Sequence, residues 1–340
     1  MHRFFACVIA LLPLAGAAPL SFQLPTENRH LLTGEPEKYY MYVDRTFEKV
    51  RSTPWQGGSW GMVRGPVRVG GEIKYLSFHE GIDIKPIKRD KAGNPLDLIM
   101  SIAEGRVVHV SDVAGRSNYG KYIVVEHPVT PGGHMIHSLY AHLAECSVTR
   151  GDRVKKGSIL GRMGYTGRGI NRTRAHLHLE LGLVMSKNFE GWHNRYSGGT
   201  NYHGNYNGLN LIGMDVATFL LKHHENPNLT VTEFVRNSPV YFKVTVPRSG
   251  PFSFAERHPW LLDGDLSQPG NSWEISFTGT GLPTRITASR RQVSEPIVSA
   301  VKQTGEAHRY GTRGLLSGEG TSASLSSNGK KLLALIIDDF

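Results

Sequence analysis

The sequence predicts a mainly β, antiparallel protein: one sheet domain followed by a small β-rich C-terminal region. Three observations lead there. Between residues 60 and 183, short apolar runs alternate with Gly-containing turns about every ten residues, the pattern of strands joined by tight connections. The 39 glycines among 340 residues are dispersed and not periodic, which excludes collagen-like and solenoid chains. With only two cysteines a disulfide scaffold is excluded, so a buried apolar core must hold the fold.

The elements follow in order. Residues 1–18, MHRFFACVIALLPLAGAA, place Arg3 before an apolar run from Phe4 to Leu14 and then the small residues Ala15, Gly16 and Ala17. That is the three-part pattern of a secretory signal peptide cleaved after Ala17 or Ala18, and the run is short for a membrane span. The expected protein is exported to the periplasm, cell envelope or exterior, without a stable span in the mature chain. Cleavage removes Cys7 and leaves Cys146 as the one thiol, read as a small buried hydrophobe. Residues 19–58 form an N-terminal extension in which YYMYV (39–43) suits either a short helix or an edge strand.

The expected sheet domain spans 59–190. Its strand candidates are GRVVHV (105–110), YIVVE (122–126), MIHSLY (135–140), SILG (158–161) and LHLEL (177–181). The remainder, 191–340, is an accessory region. Residues 191–210, rich in Gly, Asn and Tyr, predict a long loop. Residues 214–224 predict a helix, with Asp215 near its start and Pro227 past its end. Residues 239–246, 273–277 and 284–288 predict strands, and the apolar run 331–337 predicts one more.

Three histidine motifs fall inside the sheet region: His79-Glu80-Gly81-Ile82-Asp83, Tyr140-Ala141-His142-Leu143 and His176-Leu177-His178. Each alone is weak, because single histidines are commonly structural. Spacing strengthens them. Strand side chains alternate, so His176 and His178 share a face, as do His79 and Asp83 if extended. Two such pairs can converge on one ion; His and carboxylate donors suit zinc, and three protein ligands with an open position mark a catalytic site. A helical His-Glu-x-x-Asp site with Glu80 as general base competes with this. Gly81, the β-branched Ile82 and Ile84, and Pro86 argue against a helix there.

The ordered H-x-G-x-D, Y-x-H-L and H-L-H motifs resemble the LytM/lysostaphin-type zinc metallopeptidases. The stretches IAEGRVV (102–108), VKKG (154–157) and GRMGYTG (161–167) are similar to that family's connecting segments, so the resemblance covers about residues 60–185. It implies an antiparallel sheet with a groove, one zinc ion per chain, and cleavage of cross-links or stem peptides of bacterial peptidoglycan. By residue, it implies His79, Asp83 and His178 as metal ligands. It implies His142 and His176 as catalytic histidines that deprotonate the attacking water or stabilise the oxyanion.

The chain departs from the pattern at Ala175, where proline is usual, and at Lys121, where asparagine is common. It also has a longer basic loop over 167–174 and an insertion carrying Lys88, Arg89, Asp90 and Lys91. Tyr140, Arg168, Arg172, Arg174 and Trp192 are the candidates for substrate contact. A non-catalytic wall-binding or hydrolase-activating protein of the same fold is the alternative function, disfavoured because all five positions are filled. The net charge of +10 suits anionic wall polymers or lipid headgroups; dispersed basic residues and the lack of a recognised motif argue against nucleic acid. Oligomeric state is not legible in the sequence.

Overall fold

The computed structural model describes residues 19–129 and 133–340; the expected signal peptide, 1–18, lies outside them. Its centre is an antiparallel sheet. The order across it is Arg153–Val154, Gly105–Ser111, Tyr122–Pro128, Met135–Ala141, Leu177–Val184 and Leu211–Gly213. Ile82–Ile84 pairs with the first half of Leu177–Val184, and Leu211–Gly213 pairs with its second half. Two short strands thus share one edge of the same strand.

Leu177–Val184 is buried along its whole length, which explains why polar residues on it are few and paired. Leu177, Leu179, Leu181 and Leu183 all join the main core with Ile123, Val125, Ile136 and Tyr140. The opposite face carries a second apolar cluster, Val108, Tyr122, Val124, Leu139, Ala141, Val184 and Leu211, flanked by Tyr119 and Tyr206. Period-two alternation places one set on each side. A three-stranded sheet of Leu98–Met100, Ile159–Met163 and Leu143–Cys146 lies beside it. The long hairpin Gly61–Val69 with Glu72–His79 leads into the centre.

The N-terminal extension is not peripheral. Pro36–Tyr39 is a single helical turn, Tyr40 bridges to Ile84, and Met41 donates its N–H to the Asp83 carbonyl at 2.8 Å. Phe22, Leu24, Tyr39 and Tyr40 all join the main core.

Beyond residue 210 the expected helix is present as Val216–Glu225, capped by Asp215, whose carboxylate accepts from Thr218 N. A four-stranded antiparallel sheet follows in the order Pro283–Ser289, Ser272–Phe277, Phe242–Pro247, Ile297–Val301. Its buried residues belong to the same continuous core as the first sheet.

Two sequence expectations need correction. Residues 331–337 are helical, within Ser327–Ile337, and not a strand. A short unbroken apolar run does not distinguish the two states. Here the Ser326 cap, accepting from Gly329 N, and the helix formers Lys, Leu and Ala decide it. The expected loop over 191–210 begins as a helix, Phe189–Tyr196, because Phe189, Trp192 and His193 bury one face at helical spacing. The rest, 203–210, holds two short 3-10 turns that lie against the Tyr119/Tyr122 face of the sheet.

Candidate metal centre

His79 ends the Glu72–His79 strand, Asp83 is the middle residue of Ile82–Ile84, and His178 is the second residue of Leu177–Val184. Antiparallel pairing sets His178 opposite Asp83 on one side and opposite Ala141 on the other. Gly81 turns the chain between the first two: a Cβ there would fall 2.3 Å from the Leu179 carbonyl oxygen. Glu80 lies exposed in this turn, so the helical arrangement with Glu80 as base is not formed.

Asp83 Oδ1 is the hub. It lies 3.1 Å from His79 Nε2, 3.0 Å from His178 Nδ1 and 3.3 Å from His176 Nε2. His79 Nε2 and His178 Nδ1 are 3.1 Å apart. Donors of a tetrahedral zinc ion, at bonds of about 2.0–2.1 Å, stand about 3.3 Å from one another, so this His-Asp-His set fits such a cation closely. His79, Asp83, His142, His176 and His178 are all buried.

Each ring is oriented from behind. His79 Nδ1 donates to the Ser59 carbonyl at 2.8 Å, His176 Nδ1 to Arg174 O at 2.7 Å, and His142 Nδ1 to Thr166 O at 2.8 Å. A carbonyl only accepts, so those Nδ1 atoms carry a proton and Nε2 faces the centre. His178 is reversed: its Nε2 meets Glu180 Oε1 at 2.9 Å and its Nδ1 faces inward.

The charges follow from these contacts. Burial alone would raise Asp83, but the neighbouring His176 and His79 and hydrogen bonds from His176 and His178 hold its carboxyl well below the usual range. Burial, then the His176 and His178 charges, push His142 well below the ordinary imidazole value, so its ring is neutral. For His178 burial opposes protonation, yet hydrogen bonds to Asp83 and Glu180 carry it up to about 10. A cation taken up at Nδ1 displaces that proton.

His142, which follows Met135–Ala141, has a left-handed φ of 63°. Hydrogen bonds from His142 N to Tyr119 O and from Leu143 N to Lys121 O hold it there. Three residues that sequence reasoning missed complete the site: Glu180, Tyr119 and Arg64. Glu180 was legible, since it follows His178 by two on a strand. Arg64 was not. A register shift between Met62 and Arg64 interrupts the hairpin, and Arg64 places Nη2 2.6 Å from Asp83 Oδ2 and Nε 2.7 Å from the Gly57 carbonyl.

The candidates for substrate contact divide. Tyr140 is fully buried, and its hydroxyl accepts from Ile102 N and Ser138 Oγ, so it is a core residue. Trp192 is also removed from that role: it is buried, stacks on Phe189 and donates Nε1 to Lys331 O at 2.9 Å. Arg168 and Arg172 are exposed on the 167–174 loop. Arg172 donates to Ala92 O, Arg174 donates to Tyr42 O, and Arg89 donates to Arg172 O and Thr173 O. The 88–91 insertion and the basic loop are therefore tied to each other.

Comparison with known proteins gives a family-model match over residues 77–189, described as Peptidase family M23. No curated protein matches. Among solved structures, a zinc containing peptidase from Vibrio cholerae is 22% identical over 48% of this chain and 37% of its own length, with TM-score 0.30. The catalytic domain of lysostaphin from Staphylococcus simulans is 22% identical over 48% of this chain and 88% of that one, with TM-score 0.28. The catalytic domain of the M23 protein EnpA from Enterococcus faecalis, an A109H mutant, is 24% identical over 36% and 76%, with TM-score 0.26. These structural likenesses are too low to carry function. The stretch that holds the His-Asp-His cluster is the stretch that matches peptidase family M23, and motif resemblance and family match name the same LytM/lysostaphin-type family.

Proposed function

We propose that this chain is an exported, zinc-dependent endopeptidase that hydrolyses peptide cross-links or stem peptides of bacterial peptidoglycan. His79, Asp83 and His178 hold one zinc ion. The observation that carries the reading is the convergence of His79 Nε2, Asp83 Oδ1 and His178 Nδ1, each within about 3 Å of the others and each oriented from outside. Bound there, zinc supplies Lewis acidity toward a peptide carbonyl and lowers the pKa of water.

The remaining residues divide the proton work. His142 is neutral and its Nε2 is uncommitted, so it accepts a proton from the attacking water. His176, with Nδ1 committed to Arg174 O, offers Nε2 at the same centre to hold developing charge or pass the proton on. Arg168 and Arg172 stand on an anchored loop suited to carboxylates of stem peptides. In this reading residues 59–190 carry the chemistry and 191–340 buttress it.

The test is digestion of purified peptidoglycan by residues 19–340, with products read by mass spectrometry, a chelator control and zinc restored afterward. Zinc-dependent peptide release supports the proposal, and fragment masses name the bond. No products and no bound zinc would overturn it in favour of a non-catalytic wall-binding protein.

A further inference from the structure

We propose that Tyr119 and Glu180 are positioning residues for His178, and that residues 203–210 lock them in place. The inference rests on the metal-site reading above. Glu180 is a buried carboxylate, two residues after His178 and on the same face of the strand. Its Oε1 receives both His178 Nε2–H at 2.9 Å and the Tyr119 hydroxyl at 2.5 Å. A carboxylate only accepts, so this pairing keeps a proton on Nε2 and assigns the inward donor to Nδ1. Nδ1 is the atom that faces Asp83 and His79.

Tyr119 also reaches the other half of the site. Its carbonyl oxygen accepts from His142 N at 2.9 Å, one of the bonds that keep His142 at its left-handed φ. A single residue therefore orients a candidate ligand through its side chain and a candidate proton acceptor through its backbone.

What holds Tyr119 is the segment between Phe189–Tyr196 and Leu211–Gly213. Gly208 packs on the Tyr119 ring so closely that a Cβ would fall 2.3 Å from the hydroxyl oxygen and 2.5 Å from Cε2. The segment is itself fixed. Tyr122 donates to Tyr206 O at 3.1 Å, His203 meets His109 at 3.3 Å, and Asn210 Nδ2 donates to Ser186 O at 2.7 Å. Contact thus runs unbroken from Gly208 through Tyr119 and Glu180 to His178.

The test uses the full mature chain with Tyr119→Phe, Glu180→Leu and Gly208→Ala. Zinc affinity is read by competition with a chromogenic chelator, and the His178 ring N–H by proton–nitrogen NMR of the zinc-loaded chain. Loss of Glu180 should weaken zinc binding about 10–100-fold, and Tyr119→Phe about tenfold. Gly208→Ala should match Tyr119→Phe. The slowly exchanging Nε2–H signal should broaden or vanish in all three while the backbone amide signals keep their protection, which separates loss of this hydrogen bond from general destabilisation. Tyr119→Phe keeps the ring and its packing, so it remains informative if Glu180→Leu does not fold. If the unaltered chain binds zinc and the variants bind it equally with the Nε2–H signal intact, this inference falls and the metal reading stands. If the unaltered chain binds no zinc, both fall.

Discussion

Arg64 Nη2 lies 2.6 Å from Asp83 Oδ2, while His79, His176 and His178 meet the other carboxylate oxygen, Oδ1. The three histidines all meet Oδ1, so the two oxygens of Asp83 have separate duties. Oδ2 is committed to the guanidinium, so Oδ1 is the oxygen that would be left for a cation.

Arg64→Ala frees Oδ2 and lets the carboxylate rotate. Zinc affinity is expected to fall about tenfold, as outer partners of metal ligands generally cost 10–100-fold. Chelator competition measures it. Arg64→Lys, a point charge without the planar fork, should recover only part of the loss.

Replacing the central residues separates metal binding from proton transfer. His178→Ala should abolish both zinc uptake and hydrolysis. His142→Ala should retain zinc, measured by elemental analysis, and lose about a hundredfold or more in turnover. Glu80→Ala, at an exposed turn, should change either quantity by no more than about twofold. Equal damage from Glu80→Ala and His142→Ala would refute the roles given to them.

Acid should unfold this protein through histidines away from the centre. Burial pushes His127 down to about 4 and His137 and His258 down to about 3, with nearby charges adding to the last two. These rings stay neutral in the folded chain while the unfolded chain protonates near 6.5. Their contribution is complete above about 6.5 and is lost progressively as pH falls from there to about 4 for His127 and about 3 for His137 and His258. Each costs about 1.4 kcal/mol per pH unit within its window. Midpoints of urea unfolding taken between pH 7.5 and 4.5 should fall steadily, and His258→Phe should flatten the slope.

Trp192→Ala tests the reassignment of that residue. Loss of a buried indole and its bond to Lys331 O should cost about 3 kcal/mol in unfolding free energy. The KM of the folded fraction should not change. Arg168→Ala should do the reverse, raising KM and leaving stability within about 0.5 kcal/mol.

The strands and the histidine cluster were legible because strand alternation is a local rule. His176 and His178, and His178 and Glu180, stand two positions apart, and that spacing alone puts them on one face. Arg64 was illegible because its approach to Asp83 depends on a register shift in a hairpin, which no nearby residue announces. Tyr140 and Trp192 were misread for a common reason. Both are amphipathic aromatics, and their polar atoms found partners inside the protein instead of in a groove. The 331–337 run was misread because Leu, Ala and Ile without polar alternation suit either state, and the deciding Ser326 cap lies outside the run.

The shared edge of Leu177–Val184 sets a schedule for assembly. Its first half waits for Ile82–Ile84 and its second for Leu211–Gly213, partners separated by well over a hundred residues of chain. The pairing with Ile82–Ile84 closes a loop of about 95 residues and that with Leu211–Gly213 one of about 30, and the longer closure is the slower. A chain cut after residue 190 would keep all five central histidine and aspartate positions and still leave half of that strand with open backbone groups, an invitation to pair with another molecule. The strand that carries His178 is therefore completed by residues that lie far along the chain from the histidine motifs.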